Sequence, residues 1–333
     1  MVLSGLLVLA FGLLGAFVRV PYVALGPGPT YDTLGQVDGR QVVTIEGERT
    51  YPTTGELRMT TVSLVDNVTL FDGLRRWASG RYALAPREDY FRPGETDEEV
   101  RRENVKQFQD SQSNAQVAAL RTLGYPVKVL VKEVVSGSPA DQVLSPGDRL
   151  LAVDGTEIGN EDDVRAALAD TRPGQTVSLT FRHEDGPERT ESVTLAEHPS
   201  EPQGFVGFQP IDRADVPFEV DISLEDVGGP SAGLMFALAI VDRMTPGDLV
   251  GGEHVAGTGE IDQKGRVGPI GGISFKLVAA RESGASAFLV PQRNCAEAAS
   301  AAPEGLKLVK VADLDGAISA LEKLEAGQPV PIC

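Results

Sequence analysis

The chain has 333 residues, 41% hydrophobic and 23% charged, a globular composition with length enough for two or three domains. Its net charge of −18 argues against a nucleic-acid partner, and no basic cluster interleaved with aromatics offsets it. His183, His198 and His254 are scattered, and Cys295 and Cys333 stand in no ligand spacing, so no metal and no cofactor are expected.

In chain order, the uncharged stretch 2–18 has the composition of a short transmembrane helix. No small-x-small cleavage site follows it, so an uncleaved signal anchor in a lipid bilayer is expected over residues 1–19. Gly26-Pro-Gly-Pro-Thr30 reads as a turn-rich linker. Residues 42–45 and 57–64 read as strands by β-branched content and alternation. Leu70, Leu74 and Trp77 fall on one face of a short helix. Core packing is the plainer reading of that face, and a substrate- or membrane-facing surface the sharper one. A charged, proline-punctuated stretch follows, with a solvated helix expected over 93–100 and a second, alanine-rich helix over 113–123.

Residues 124–197 read as a compact module. A strand over 127–135 leads to a short helix at Gly137-Ser-Pro-Ala140. Pro146-Gly-Asp-Arg-Leu-Leu-Ala-Val-Asp-Gly155 is a turn, a strand and a turn. A helix over 162–168 and paired strands over 177–181 and 191–195 complete it. This order, with "GSPA", "PGDRLLAVDG" and "DVRAAL", resembles a PDZ domain of the bacterial protease-associated kind. The resemblance implies capture of an extended peptide at a sheet edge. It puts Gly124, Tyr125, Pro126 and Val127 in the loop that clasps a terminal carboxylate. Pro126 has no N–H, which removes one donor from that loop, and a spacer without ligand is the alternative.

The segment 216–223 alternates as a strand and leads into Gly229-Pro230-Ser231-Ala232-Gly233, a tight turn opening an apolar helix over 234–244. A second glycine-rich turn, Val267-Gly-Pro-Ile-Gly-Gly272, precedes a helix that carries Lys276. A serine hydroxyl is a weak nucleophile until a base takes its proton, and a desolvated lysine can be that base near neutral pH. The backbone around Gly229, Pro230 and Ala232, at the helix start, would then offer N–H groups to an oxyanion. Taken singly, the serine is an N-cap and the lysine a surface residue. Their combination with Thr258-Gly-Glu-Ile261 and Gly265-Arg-Val-Gly-Pro-Ile-Gly-Gly272 resembles the proteolytic domain of Lon proteases. The resemblance implies a catalytic Ser231–Lys276 pair, with Thr258 orienting the lysine. Gly228 stands where that family usually carries an aspartate, and Asp226 lies two residues further upstream. A Ser-His-Asp arrangement through His254 is the competing chemistry.

"VTIEG", "GELRMTTV" and "DSQSNAQVAAL" look like the opening elements of the same proteolytic domain, which would then be split by the PDZ module. A separate small N-terminal domain is the alternative. The whole order is similar to the YlbL-like family of membrane-tethered PDZ–Lon proteins. The fold expected from it is α+β: a Lon-type proteolytic domain, with its ribosomal-protein-like α/β fold, carrying an inserted PDZ domain after an N-terminal transmembrane helix. The expected boundaries are 1–19 for the anchor, 20–123 for the first part of the catalytic domain with linker, 124–197 for the PDZ domain, 203–326 for the Lon proteolytic domain and 327–333 for a tail. The resemblance implies a single-pass cell-membrane protein with both domains extracytoplasmic. Its partners would be polypeptide substrates of the membrane or envelope, and the Lon resemblance implies assembly into a hexameric ring. No Gly-x-x-x-x-Gly-Lys-Ser/Thr phosphate loop occurs, so endopeptidase activity without ATP is expected. A silent peptide-binding scaffold and a non-proteolytic acyl hydrolase are the other readings. In an exported chain, Cys295 and Cys333 suggest one disulfide; a buried Cys295 with a frayed Cys333 is the alternative.

Overall fold

A computed structural model describes residues 2–92, 94–198, 200–224 and 227–333. The chain divides into two compact units, one of Met1–Ala119 with Phe218–Cys333 and the other of Leu120–Pro217. The first runs through α1 (Val2–Phe17), β1 (Tyr22–Asp32), β2 (Val43–Glu46), β3 (Glu56–Val65), α2 (Leu70–Ala78), β4 (Ala83–Pro86) and most of α3 (Asp97–Thr122). The second holds β5 (Val127–Val134), β6 (Arg149–Val153), α4 (Glu161–Leu168), β7 (Thr176–Arg182), β8 (Glu188–Thr194) and β9 (Phe208–Ala214). The first unit resumes with β10 (Glu219–Ile222), α5 (Gly233–Met244), β11 (His254–Gly257), β12 (Glu260–Ile261), β13 (Val267–Gly268) and α6 (Ile273–Glu282). It ends with β14 (Ala287–Pro291), α7 (Cys295–Ser300), β15 (Lys307–Val311) and α8 (Leu314–Glu325).

The first unit is built on a mixed sheet of order β15-β14-β11-β3-β1-β4. β11 pairs in parallel with both β14 and β3, while β1 lies antiparallel to β3 and β4. The N-terminal strand β3 therefore sits at the middle of a sheet whose other half comes from the C-terminal segment. β2 and β10 form a second junction, with Val43 opposite Ile222. α5 is apolar on every side, and each residue from Gly233 to Asp242 is buried, as a core helix requires. Phe108 of α3 meets Phe236 of α5 edge-on at 5.7 Å.

Several expectations are corrected here. The stretch 2–18 forms α1, which ends at Phe17 because Arg19 bridges to Thr69 and bonds Asn67 Oδ1, with Pro21 just beyond. Its 16 residues rise about 24 Å, short of a hydrocarbon core of about 30 Å. Among the described residues no helix is long and apolar enough to cross a membrane. The single-pass anchor, and the extracytoplasmic placement that went with it, are not supported. Gly26-Pro-Gly-Pro-Thr30 is no linker but the middle of β1, with a register shift between Pro27 and Thr30 where the prolines withhold their donors. Gly28 is required there, because a Cβ would lie 2.3 Å from Thr61 Oγ1. The face of α2 is not packed in the core: Leu70, Leu74 and Trp77 are exposed. The two helices expected over 93–100 and 113–123 are one continuous α3. The expected start of the proteolytic domain at 203 falls inside the second unit, since β9 completes that unit's sheet by pairing with β5, Ala214 opposite Val127.

The main sheet of the second unit has the order β8-β7-β6-β5-β9 over a core of Val129, Val131, Leu150, Leu179 and Phe181. α4 packs beside β9, the last strand on that side, and the Glu161 N–H at its start donates to Asp212 Oδ1 at 2.8 Å.

Candidate active site

Ser231 sits on a turn held from three sides within the first unit. The Gly229 N–H donates to Asn104 O of α3 at 3.0 Å, and Ser111 of α3 donates its hydroxyl to Pro230 O at 2.9 Å. The carbonyl of Ser231 accepts from the Gly259 N–H at 2.8 Å and from Thr258 Oγ1 at 3.0 Å. Gly229 has φ +86°, a conformation that favours glycine. A Cβ at Gly233 would lie 2.8 Å from Ile261 Cγ2 and 2.9 Å from Ser111 Oγ, so only glycine lets α5 begin here.

Lys276 lies one turn into α6, whose start is fixed by Gly272 at φ +68°. The side chain is 2% exposed. Its Nζ lies 2.7 Å from Ser231 Oγ, 2.9 Å from Thr258 Oγ1 and 3.1 Å from Thr60 O of β3. Among the described residues no carboxylate pairs with it, and burial pushes its pKa down to about 7. As an ammonium Lys276 donates to all three partners, and loss of one proton changes the pairing. Thr60 O can only accept. The Thr258 hydroxyl proton is committed to Ser231 O, so its oxygen also accepts from lysine. A neutral amine has two N–H donors, and both are used. Its lone pair is left for the Ser231 hydroxyl proton.

The cleft around the pair has a volume of about 380 Å³ and is lined by Tyr31, Met59 and Thr61 on one side and Glu260, Ile270 and Gly271 on the other. Burial raises the Glu260 carboxyl. The expected oxyanion donors need revision. The Gly229 N–H is already bonded to Asn104, and Pro230 has no N–H. Ala232 remains, joined by Ser231 itself: among the described residues neither N–H has a partner. Gly228 lines the cleft, and Asp226 lies outside the described residues. His254 is half-exposed and faces Glu56 at 3.5 Å, so the Ser-His-Asp alternative has no support. Thr60, Asn104 and Ser111 escaped the sequence reading, since no local motif marks a residue that acts from so far along the chain.

Two comparisons with known proteins bear on this geometry. Residues 222–321 match the family model of the Lon protease (S16) C-terminal proteolytic domain, and residues 100–195 match a PDZ domain model. A Lon proteolytic domain and a PDZ domain are present. The chain is 37% identical over 122 residues to the Lon protease of Syntrophomonas wolfei subsp. wolfei, covering 35% of this chain and 15% of that protein. It is 39% identical over 103 residues to the Lon protease of Rhizobium meliloti, covering 30% of this chain and 12% of that protein. It therefore spans less than a fifth of the length of these two curated relatives. Among solved structures, the PDZ domain of an SdrC-like protein from Listeria monocytogenes is similar over 25% of this chain and 86% of that one, at 20% identity and a TM-score of 0.24. The Lon proteolytic domain and its homologues support a serine endopeptidase.

The expected carboxylate loop of the PDZ domain is corrected. The Gly124 and Tyr125 N–H groups bond Arg121 O at 3.0 Å and Leu120 O at 2.9 Å, closing the end of α3. Pro126 has no donor, its carbonyl accepts from Asp215, and Val127 pairs with Ala214. These four residues complete secondary structure and leave no set of free donors. Cys295 and Cys333 are joined in a disulfide beside Asn294, whose side chain bonds Ile270 N and O, each at 2.9 Å.

Proposed function

We propose that this chain is a serine endopeptidase that works without ATP, on polypeptides that are loosely folded or brought to it by its PDZ domain. Ser231 Oγ attacks the peptide carbonyl while Lys276 takes its proton. The oxyanion is held by the Ser231 and Ala232 N–H groups. Collapse of the tetrahedral intermediate breaks the C–N bond, and the lysine ammonium gives its proton to the leaving amine. Water, deprotonated by the same lysine, then attacks the acyl-enzyme; the bond from Ser231 Oγ to the acyl carbon breaks, the acid product leaves, and the lysine ammonium returns its proton to Ser231 Oγ. Thr258 and Thr60 O position the amine throughout. The observation that carries this reading is the 2.7 Å contact between Ser231 Oγ and a buried lysine whose other two contacts are acceptors.

For the PDZ domain, the edge of β9 beside α4 is the better candidate for adding a peptide strand than the 124–127 loop. Gly204-Phe205-Val206-Gly207 leads into that strand, and the Val206 and Gly207 N–H groups have no partner among the described residues. Gly207 has φ +90°, and a Cβ on it would overlap Ser138. ATP independence is supported by the lack of a phosphate loop in this sequence.

The test is to incubate the protein with a reduced, alkylated polypeptide and map new termini by mass spectrometry. Cuts made by the wild type and absent with Ser231→Ala support the reading. An uncut substrate together with no acylation of Ser231 by a fluorophosphonate would favour the silent scaffold.

A further inference from the structure

Glu260 is the one carboxylate among the described residues that line the cleft. The backbone fixes its place there. The N–H of Gly259, just before it, donates to Ser231 O at 2.8 Å, and the Gly259 carbonyl accepts from the Leu234 N–H at 3.1 Å. On its other side β12 pairs with β13, Glu260 opposite Gly268. A Cβ at Gly268 would lie 3.2 Å from Glu260 Cβ and 3.4 Å from its Oε2, so glycine there leaves the carboxylate room. Nothing within the chain accounts for this group. Among the described residues it has no hydrogen-bond or ion-pair partner, whereas Asp262, two residues on, is paired with Arg266 at 2.6 Å. It does not serve the dyad either, because burial alone lowers the Lys276 pKa, with no carboxylate contributing. A half-buried carboxylate without a partner has lost hydration that no contact replaces, and its pKa is raised accordingly. A cation would replace that hydration. The described lining offers only Lys276, which is already held by Ser231, Thr258 and Thr60.

We propose that Glu260 is a specificity-determining residue that pairs with a Lys or Arg side chain of the polypeptide lying over Ser231. The inference rests on the endopeptidase reading and adds to it a substrate class: loosely folded segments with a basic side chain close to the scissile bond. The net charge of −18 draws basic polypeptides toward the protein, and Glu260 selects which of their residues settles in the cleft. A partly buried pair of this kind is worth about 5- to 30-fold in affinity, more than a fully exposed one.

The test uses the full chain carrying Ser231→Ala, so that nothing is turned over. Two fluorescent peptides of one backbone, both N-acetylated and C-terminally amidated, carry either Lys or uncharged acetyl-lysine at one central position, and anisotropy reads their binding. The lysine peptide should bind about 5- to 30-fold tighter at low salt, and the ratio should shrink as salt is raised. Adding Glu260→Gln should bring the two within about 2-fold, and Glu260→Lys should turn the preference toward a peptide with Glu at that position. Equal binding of the lysine and acetyl-lysine peptides overturns the inference without any change at Glu260. So does a preference that survives Glu260→Gln in a variant of unchanged melting temperature, which traces it to the overall charge. A gain that comes only from a free N-terminus on the acetyl-lysine peptide, and not from the lysine side chain, also overturns it. Failure of the endopeptidase reading looks different: the wild type cuts neither peptide although the preference is present.

Discussion

Replacing Lys276 by arginine separates a base from a mere positive charge. Arginine keeps a cation near Ser231 but does not lose its proton at working pH. If Lys276 takes the serine proton, Lys276→Arg should lower kcat by about 10²–10⁴-fold or more, as Lys276→Met does. The pH profile gives the magnitude directly. With a pKa of about 7, the wild-type rate should rise about tenfold from pH 6 to its plateau above pH 8. Stability carries the same signature. The folded pKa lies below the unfolded value of about 10.4, so the unfolded chain binds more protons between the two. Wild-type stability should therefore rise with pH from about 7 to about 10, by on the order of 3–5 kcal/mol at most. Lys276→Met removes that slope and should be the more stable protein at pH 6. Activity is read from initial rates on an unfolded polypeptide, and stability from thermal melts at each pH. An active arginine variant, or a wild-type profile flat between pH 6 and 8, refutes the assignment.

Asn294→Ala leaves the buried Ile270 N–H and carbonyl unpaired and should destabilise the protein by about 2–4 kcal/mol in denaturant titration. Unchanged stability would show that the clasp does not hold the turn before α6. Asp242 is buried, with one oxygen on the Leu249 N–H at 2.8 Å and the other unpaired among the described residues, and burial raises its pKa to about 6. Its folded pKa is above the unfolded value, so its ionisation weakens the fold as pH rises from about 4 to about 6. Asp242→Asn should then raise the melting temperature at pH 8 and lose that gain near pH 4; a lower melting temperature at pH 8 contradicts this. Gln116 Nε2 bonds Val220 O at 2.9 Å, so the chain leaves and re-enters the first unit at neighbouring points. Replacing 120–217 by a short Gly/Ser linker should give a folded protein whose Ser231 still reacts with a fluorophosphonate, while residues 218–333 alone, lacking β3, should not fold; circular dichroism and labelling decide both.

What the sequence made legible was local. Ser231 sits on a glycine-rich turn and Lys276 follows another, and the combination of turns is specific even where each alone is not. Burial is what lowers the lysine pKa, and burial is not local. β1 was hidden because Pro27 and Pro29 suppress the strand signal, and only the pairing with β3 gives their missing donors a place at a register shift. The apolar count over 2–18 was right in kind and misleading in length, because helix length is set by what pins its end, here Arg19 on Asn67. In the PDZ domain, Gly124-Tyr125-Pro126-Val127 stands before a strand as a carboxylate loop would. Only the structure shows that the end of α3 consumes its donors.

The family match to 222–321 contains both Ser231 and Lys276, yet it does not contain all the residues that surround them. Burial lowers the Lys276 pKa to about 7, so about half the amines are neutral at that pH, and β3 supplies Thr60 O as a partner for the amine and Met59, Thr61 and Val62 to wall the cleft. The serine turn likewise hangs on Asn104 and Ser111 of α3. Those residues precede the second unit in the chain. A segment holding only the matched residues would keep Ser231 and Lys276 but expose the amine to water, where its pKa returns toward about 10.4 and about one amine in a thousand or fewer is neutral at pH 7. The proposed chemistry therefore needs the reassembled first unit. For the inserted PDZ domain to be tolerated, the two chain segments it separates must meet on their own, and the β3–β11 and β2–β10 pairings supply that meeting.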